Sequence, residues 1–196
     1  MITYTETVTG SGSLGSQAFT DALITIRGTA DTSKVQLSGS DFFVAASTQV
    51  SVASVGTGTF TDMIDVVNNQ PNSSPFGILP PSGDIAEVAF VVLANATDDI
   101  DSDLLGILNS AFTTYDLQSS LGPISGLADV NKFSRYNTTA GTFEIDAVSS
   151  PGSFSATTNV SSPTPEPSSL TLALVGSLAS LGYFWRHRRG GKRDSH

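Results

Sequence analysis

At 196 residues the chain suffices for one domain with its own core plus a tail. It has no cysteine, and both histidines, His187 and His196, lie at the C-terminal end, so residues 1–162 offer no disulfide framework, thiolate metal site or imidazole-based catalysis. Residues 1–165 hold 16 acids and 4 bases, a net of −12, whereas Arg186, Arg188, Arg189, Lys192 and Arg193 crowd the end, and an acidic domain repels nucleic acid and anionic lipid.

In chain order, Ile2–Val8 sets Ile2, Tyr4 and Val8 against Thr3, Thr5 and Thr7, the period of two that marks a half-buried strand. Gly10–Gly15 is read as a turn. Phe19–Arg27 places Ala22, Ile24 and Ile26 on one face, and Val35/Leu37, Phe42/Val44/Ala46 and Val50/Val52 follow as further short strands. Four prolines between Gln70 and Gly83 predict a surface loop. Glu87–Leu93 is nearly all apolar and β-branched or aromatic, as in a strand buried on both faces.

Leu104, Leu105, Ile107, Leu108 and Phe112 recur at three- and four-residue spacing, which predicts one short helix, about 103–113, capped by Ser102 or Asp103. Thr142–Val148 and Phe154/Ala156 close the series. The fold class expected is mainly β: a sandwich or jelly roll over residues 1–162, with that helix. Residues 163–196 form a tail with its linker at 161–165, an apolar segment at about 168–185 and a basic stop at 186–193.

Leu170–Trp185 carries no charge. As a helix it would extend roughly 24 Å, a marginal transmembrane span against a hydrocarbon core of about 30 Å. Arg186, Arg188 and Arg189 follow it at once, so the positive-inside rule places the C-terminus in the cytoplasm and the N-terminal domain outside. Export also predicts a secretory leader ahead of Met1, because Met1–Glu6 has no apolar stretch.

Pro165-Glu166-Pro167, then an apolar segment, then a basic cluster: this order resembles the PEP-CTERM sorting signal of bacterial exported proteins. The resemblance implies passage through the secretion machinery, retention in the inner membrane and processing by an exosortase near the Pro-Glu-Pro element. It also implies a place at the cell surface or in an exopolysaccharide matrix. Carried onto this sequence, Pro165, Glu166 and Pro167 are the recognition element and Arg186, Arg188 and Arg189 the membrane stop.

Gly10-Ser-Gly12-Ser-Leu-Gly15 matches the dinucleotide fingerprint G-x-G-x-x-G, but a strand pattern follows where a helix is required, so the turn reading stands. Asp99, Asp101 and Asp103, with Asp98 beside them, present carboxylates at the spacing that opens many calcium loops, although the glycine and the distal glutamate of the EF-hand are missing. They stay a candidate calcium site beside the alternative of a helix cap, and no other cofactor is expected.

Asp62 with Asp65, and Glu144 with Asp146, are formal carboxylate pairs for glycoside chemistry. Alternation with Phe143 and Ile145 reads the second pair as a solvent face. The sequons at Asn72, Asn95, Asn137 and Asn159 are chance in so Ser/Thr-rich a chain. With no catalytic residue in evidence, the functional expectation is a non-enzymatic surface or matrix module, structural, adhesive or exopolysaccharide-associated. The alternative is a carbohydrate-binding or carbohydrate-active module using carboxylates and calcium.

Overall fold

Strand β1 (Ile2–Leu14) keeps the alternation read in the sequence: Ile2, Tyr4, Val8 and Leu14 are buried inward, while Thr5, Thr7 and Thr9 stand half-exposed on the outer face. The two-residue turn Gly15-Ser16 returns the chain as β2 (Gln17–Ala30). Gly15 has φ +61°, the left-handed value that tight hairpins assign to glycine. In this computed structural model the residues described are 1–70, 85–92, 103–130 and 135–159.

The remaining strands are β3 (Gln36–Ser38), β4 (Asp41–Val52), β5 (Gly56–Thr59), β6 (Ile64–Asn69), β7 (Ala86–Val92), β8 (Asp103–Asn109), β9 (Leu121–Asp129), β10 (Arg135–Thr138) and β11 (Gly141–Thr158). All neighbours pair antiparallel in the order β1-β2-β4-β6-β7-β8-β9-β11, and β11 pairs back onto β1 from Ile2↔Thr158 to Leu14↔Phe143. Eight strands therefore close into a barrel, and the expected sandwich or jelly roll is corrected. Alternation cannot separate the two, because both bury one face of every strand; what decides is that the first and last strands find each other, so no edge is left in the ring.

A narrower circuit is stacked on this ring. The C-terminal half of β4 pairs with β5, Phe60 just beyond β5 bridges to Thr138 of β10, and β10 pairs with the start of β11. Strands β1, β2, β4 and β11 are long enough to serve both circuits, and β2 and β11 carry bulges along the way. One is at Asp21 of β2, with φ 48°, where the partner of Gly10 is Ala22 but the partner of Gly12 is Phe19.

The narrow ring is filled by rings of another kind. Phe19 stacks on Phe143 at 6.4 Å between centroids, and Phe60 meets Phe143 and Tyr136 edge-on at 6.1 and 6.3 Å. In the wide ring Phe90 reaches across to β2, where a β-carbon on Gly28 would stand 2.6 Å from its ring. Each large side chain so buried stabilises the fold by about 1.5–3 kcal/mol. Strands β6 and β7 are buried on their outer face too, where Val67, Ala89 and Val91 form a small second cluster with Phe43, in keeping with the reading of Glu87–Leu93 over its described part.

The helix expected at about 103–113 is also corrected. Residues 103–109 are strand β8, paired with β7 through Gly106↔Ala89 and Ile107↔Val88, and only Ser110–Thr114 turns, as a short 3-10 helix. A strand enclosed on both faces puts apolar residues at successive positions, and Leu104, Leu105 and Ile107, all buried, mimic helical spacing when read with Phe112. Among the described residues no helix is long and apolar enough to cross a membrane. The transmembrane helix expected over about 168–185 lies outside the described residues.

Candidate functional site

The β8–β9 connection folds into the mouth of the barrel. Phe112, Tyr115 and Leu117 are buried there, with Phe112 and Tyr115 both edge-on to Phe154 at 5.4 and 5.9 Å. Polar groups from the wall hold this plug. The Tyr4 hydroxyl donates to the Leu117 carbonyl at 2.5 Å, Asn68 Nδ2 donates to the carbonyls of Phe112 (2.9 Å) and Tyr115, and Gln70 Nε2 donates to Phe112 O at 3.1 Å.

Burial, with the nearby charge of Asp116, pushes the Tyr4 phenol well above its ordinary range, so it stays a neutral donor. Burial likewise raises Tyr115, helped by Tyr4 and Asp116. None of these plug residues was legible as a site, since each reads in sequence as an ordinary strand or loop residue or, for Phe112, as part of the expected helix.

The candidate carboxylates do not converge. Asp99 and Asp101 lie outside the described residues, and Asp103 opens β8 opposite Val91. Among the described residues there is no group of three or more Asp, Glu, His or Cys that could hold a metal ion. Asp62 accepts the Asn137 N–H at 3.3 Å beside the narrow ring, whereas Asp65 is buried on β6 and its carboxyl is raised by that burial. Glu144 pairs with Arg135 at 3.1 Å and Asp146 is exposed.

The G-x-G-x-x-G segment is mostly strand, which corrects the turn read over Gly10–Gly15: Gly10 and Gly12 lie inside β1 and only Gly15 sits in the turn. Pro165, Glu166, Pro167, Arg186, Arg188 and Arg189 lie outside the described residues.

What the barrel does present is its outer face over β9, β11, β1, β2, β4 and β5. The register aligns Ser125, Ser153, Thr7, Thr25, Ser51 and Thr57 in one row across six strands. The next row is Ser155, Thr5, Arg27, Gln49 and Thr59, and beyond it runs Thr157, Thr3, Thr29 and Ser47. Adjacent members of a row stand about 4.8 Å apart and adjacent rows about 6.7 Å. No acid occurs in the three rows, and Arg27 is their only cation. Thr is the polar residue best suited to a pleated surface, which explains its abundance; the local exclusion of acid in so acidic a domain is an additional property.

A family model, the PEP-CTERM protein-sorting motif, matches residues 163–189. The chain ends in a PEP-CTERM sorting tail. It is thus an exported surface protein processed by an exosortase, with C-terminal anchoring or processing at the cell surface. No curated protein and no solved structure matches the chain, so the PEP-CTERM match concerns delivery and leaves the work of the barrel to its own geometry.

Proposed function

We propose that the delivered barrel is a non-enzymatic module of the cell surface or its extracellular matrix, acting by adhesion through its outer wall. The observation that carries this reading is the filled and plugged interior. With Phe112, Tyr115 and Leu117 seated in the mouth, partners meet only the outside. The scattered carboxylates support the same reading, since glycoside hydrolysis needs two of them facing one bond. Before processing, the PEP-CTERM tail holds the chain at the inner membrane with the barrel on the extracytoplasmic side, consistent with the basic cluster at Arg186, Arg188 and Arg189.

The test is to incubate the purified full-length protein with the polysaccharide of the producing cells, then measure both retention and polymer length. Retention with unchanged length is the expected result. Shortened chains would establish an enzyme, and absence of retention would remove the adhesive role.

A further inference from the structure

We infer that the hydroxyl face centred on Arg27 is a docking surface for an uncharged polysaccharide chain; this rests on the adhesive reading above and assigns it a surface and a ligand class. Three properties of the face select that partner. Its side chains are hydroxyls and one carboxamide, Gln49, which exchange hydrogen bonds with water and with sugar hydroxyls on nearly equal terms. Many weak contacts along a polymer then add up where any single one is negligible.

The Arg27 side chain is exposed and makes no hydrogen bond or ion pair among the described residues. Its planar guanidinium thus keeps five donors free for the oxygens of a sugar ring. The third property is charge. The domain's net of −12 over residues 1–165 repels a polyanion at long range, whereas a neutral chain approaches freely and lands where no carboxylate has to be desolvated.

Other partners fit less well. A second copy of the chain would bury little apolar surface on this face, unlike the core of a stable protein interface. An added peptide strand needs an unpaired sheet edge, and the eight-strand ring has none. A rigid crystalline surface touches a curved barrel wall along one strip only, while a flexible single chain follows the rows. Accessibility is also in place: Arg27, Gln49, Ser51, Thr57 and Ser125 are exposed, and Thr7 and Thr25 half-exposed.

The experiment is affinity electrophoresis of the full-length protein through gels containing dextran, hydroxyethylcellulose or alginate. Four proteins are compared: wild type, Arg27→Gln, Thr25→Glu, and Leu37→Thr on β3 as a control away from the face. Retardation by at least one neutral polymer is expected, weakened tenfold or more by Arg27→Gln and by Thr25→Glu and unchanged by Leu37→Thr. Arg27 is exposed, so its variant reports on binding even if Thr25→Glu fails to fold. Wild-type retardation that Arg27→Gln leaves intact would overturn this surface while sparing the adhesive reading. Preference for alginate would overturn the ligand class. No retardation in any gel, together with no retention of the cells' own polymer, would overturn the adhesive reading as well.

Discussion

The hydroxyl of Tyr4 and the carbonyl of Leu117 lie 2.5 Å apart although 113 residues separate them in sequence, and this bond ties the first strand of the barrel to the loop that stops its mouth. Both groups are buried, so removing the donor leaves a carbonyl unsatisfied in the core. Tyr4→Phe is expected to cost about 1–3 kcal/mol. In a domain of this size that lowers Tm by roughly 2–12 °C, which thermal unfolding followed by circular dichroism will show. A variant with unchanged Tm would mean that water reaches the plug.

Asn68 carries a larger share of the same closure, because its one amide nitrogen serves the carbonyls of both Phe112 and Tyr115. Asn68→Leu keeps the number and branching of the side-chain heavy atoms and removes both bonds, with an expected loss of about 2–4 kcal/mol. Amide hydrogen exchange should show the loss concentrated at residues 110–120 before the strands open. Uniform deprotection instead would mean that plug and wall unfold as one unit.

Alternation made the strands legible one by one: Ile2/Tyr4/Val8 in β1 and Phe143/Ile145 in β11 carry their inward face openly. The apolar run at Glu87 marked β7 by a different signal, the unbroken apolar, β-branched composition of a strand buried on both faces. Their arrangement was not legible, since the choice between sandwich and barrel rests on β1 meeting β11, a pairing between chain ends that no local pattern records. The helix expected at about 103–113 failed where β8 is enclosed on both faces and loses its period of two. For the site, the tail motif was plain because its three parts are contiguous. The outer hydroxyl rows could not be seen, because Ser125, Ser153, Thr7 and Thr25 become neighbours only through register.

Burial raises the carboxyls of Asp65 and Asp41 above the ordinary aspartate range, Asp41 against the partial relief of the Gln70 N–H and Ser40. A group whose folded pKa is raised contributes full stability below its unfolded value, near 3.9, and loses it as pH rises through the folded value. Asp31 works in the opposite direction, lowered by the hydroxyl and N–H of Ser33, but it sits exposed at the surface. Asp65→Asn should therefore stabilise the barrel at pH 7, by about 1.4 kcal/mol for each unit by which burial raises the native group. The gain should vanish near pH 3, where Asp65 is neutral in both states. Urea unfolding at pH 7, 5 and 3 checks this, and equal effects at all three would show that Asp65 has no proton linkage.

The last strand ends beside the first: the Asn159 N–H donates to Met1 O at 2.9 Å and its side-chain amide to Thr3 Oγ1 at 3.0 Å. Ring closure is therefore complete at Asn159, before the sorting tail begins, and the strand pairings among the described residues lie within residues 1–159. A chain ending at Asn159 should unfold cooperatively with a Tm within a few degrees of the full-length protein. In the producing cell it should escape exosortase processing, as should a full-length chain in which Pro165, Glu166 and Pro167 are replaced by alanine. Immunoblots of membrane, surface and medium fractions separate the two effects, since folding follows the barrel and processing follows the tail. If the shortened chain is degraded or unfolds without cooperativity, residues beyond Asn159 contribute to the fold and the two roles are not separable.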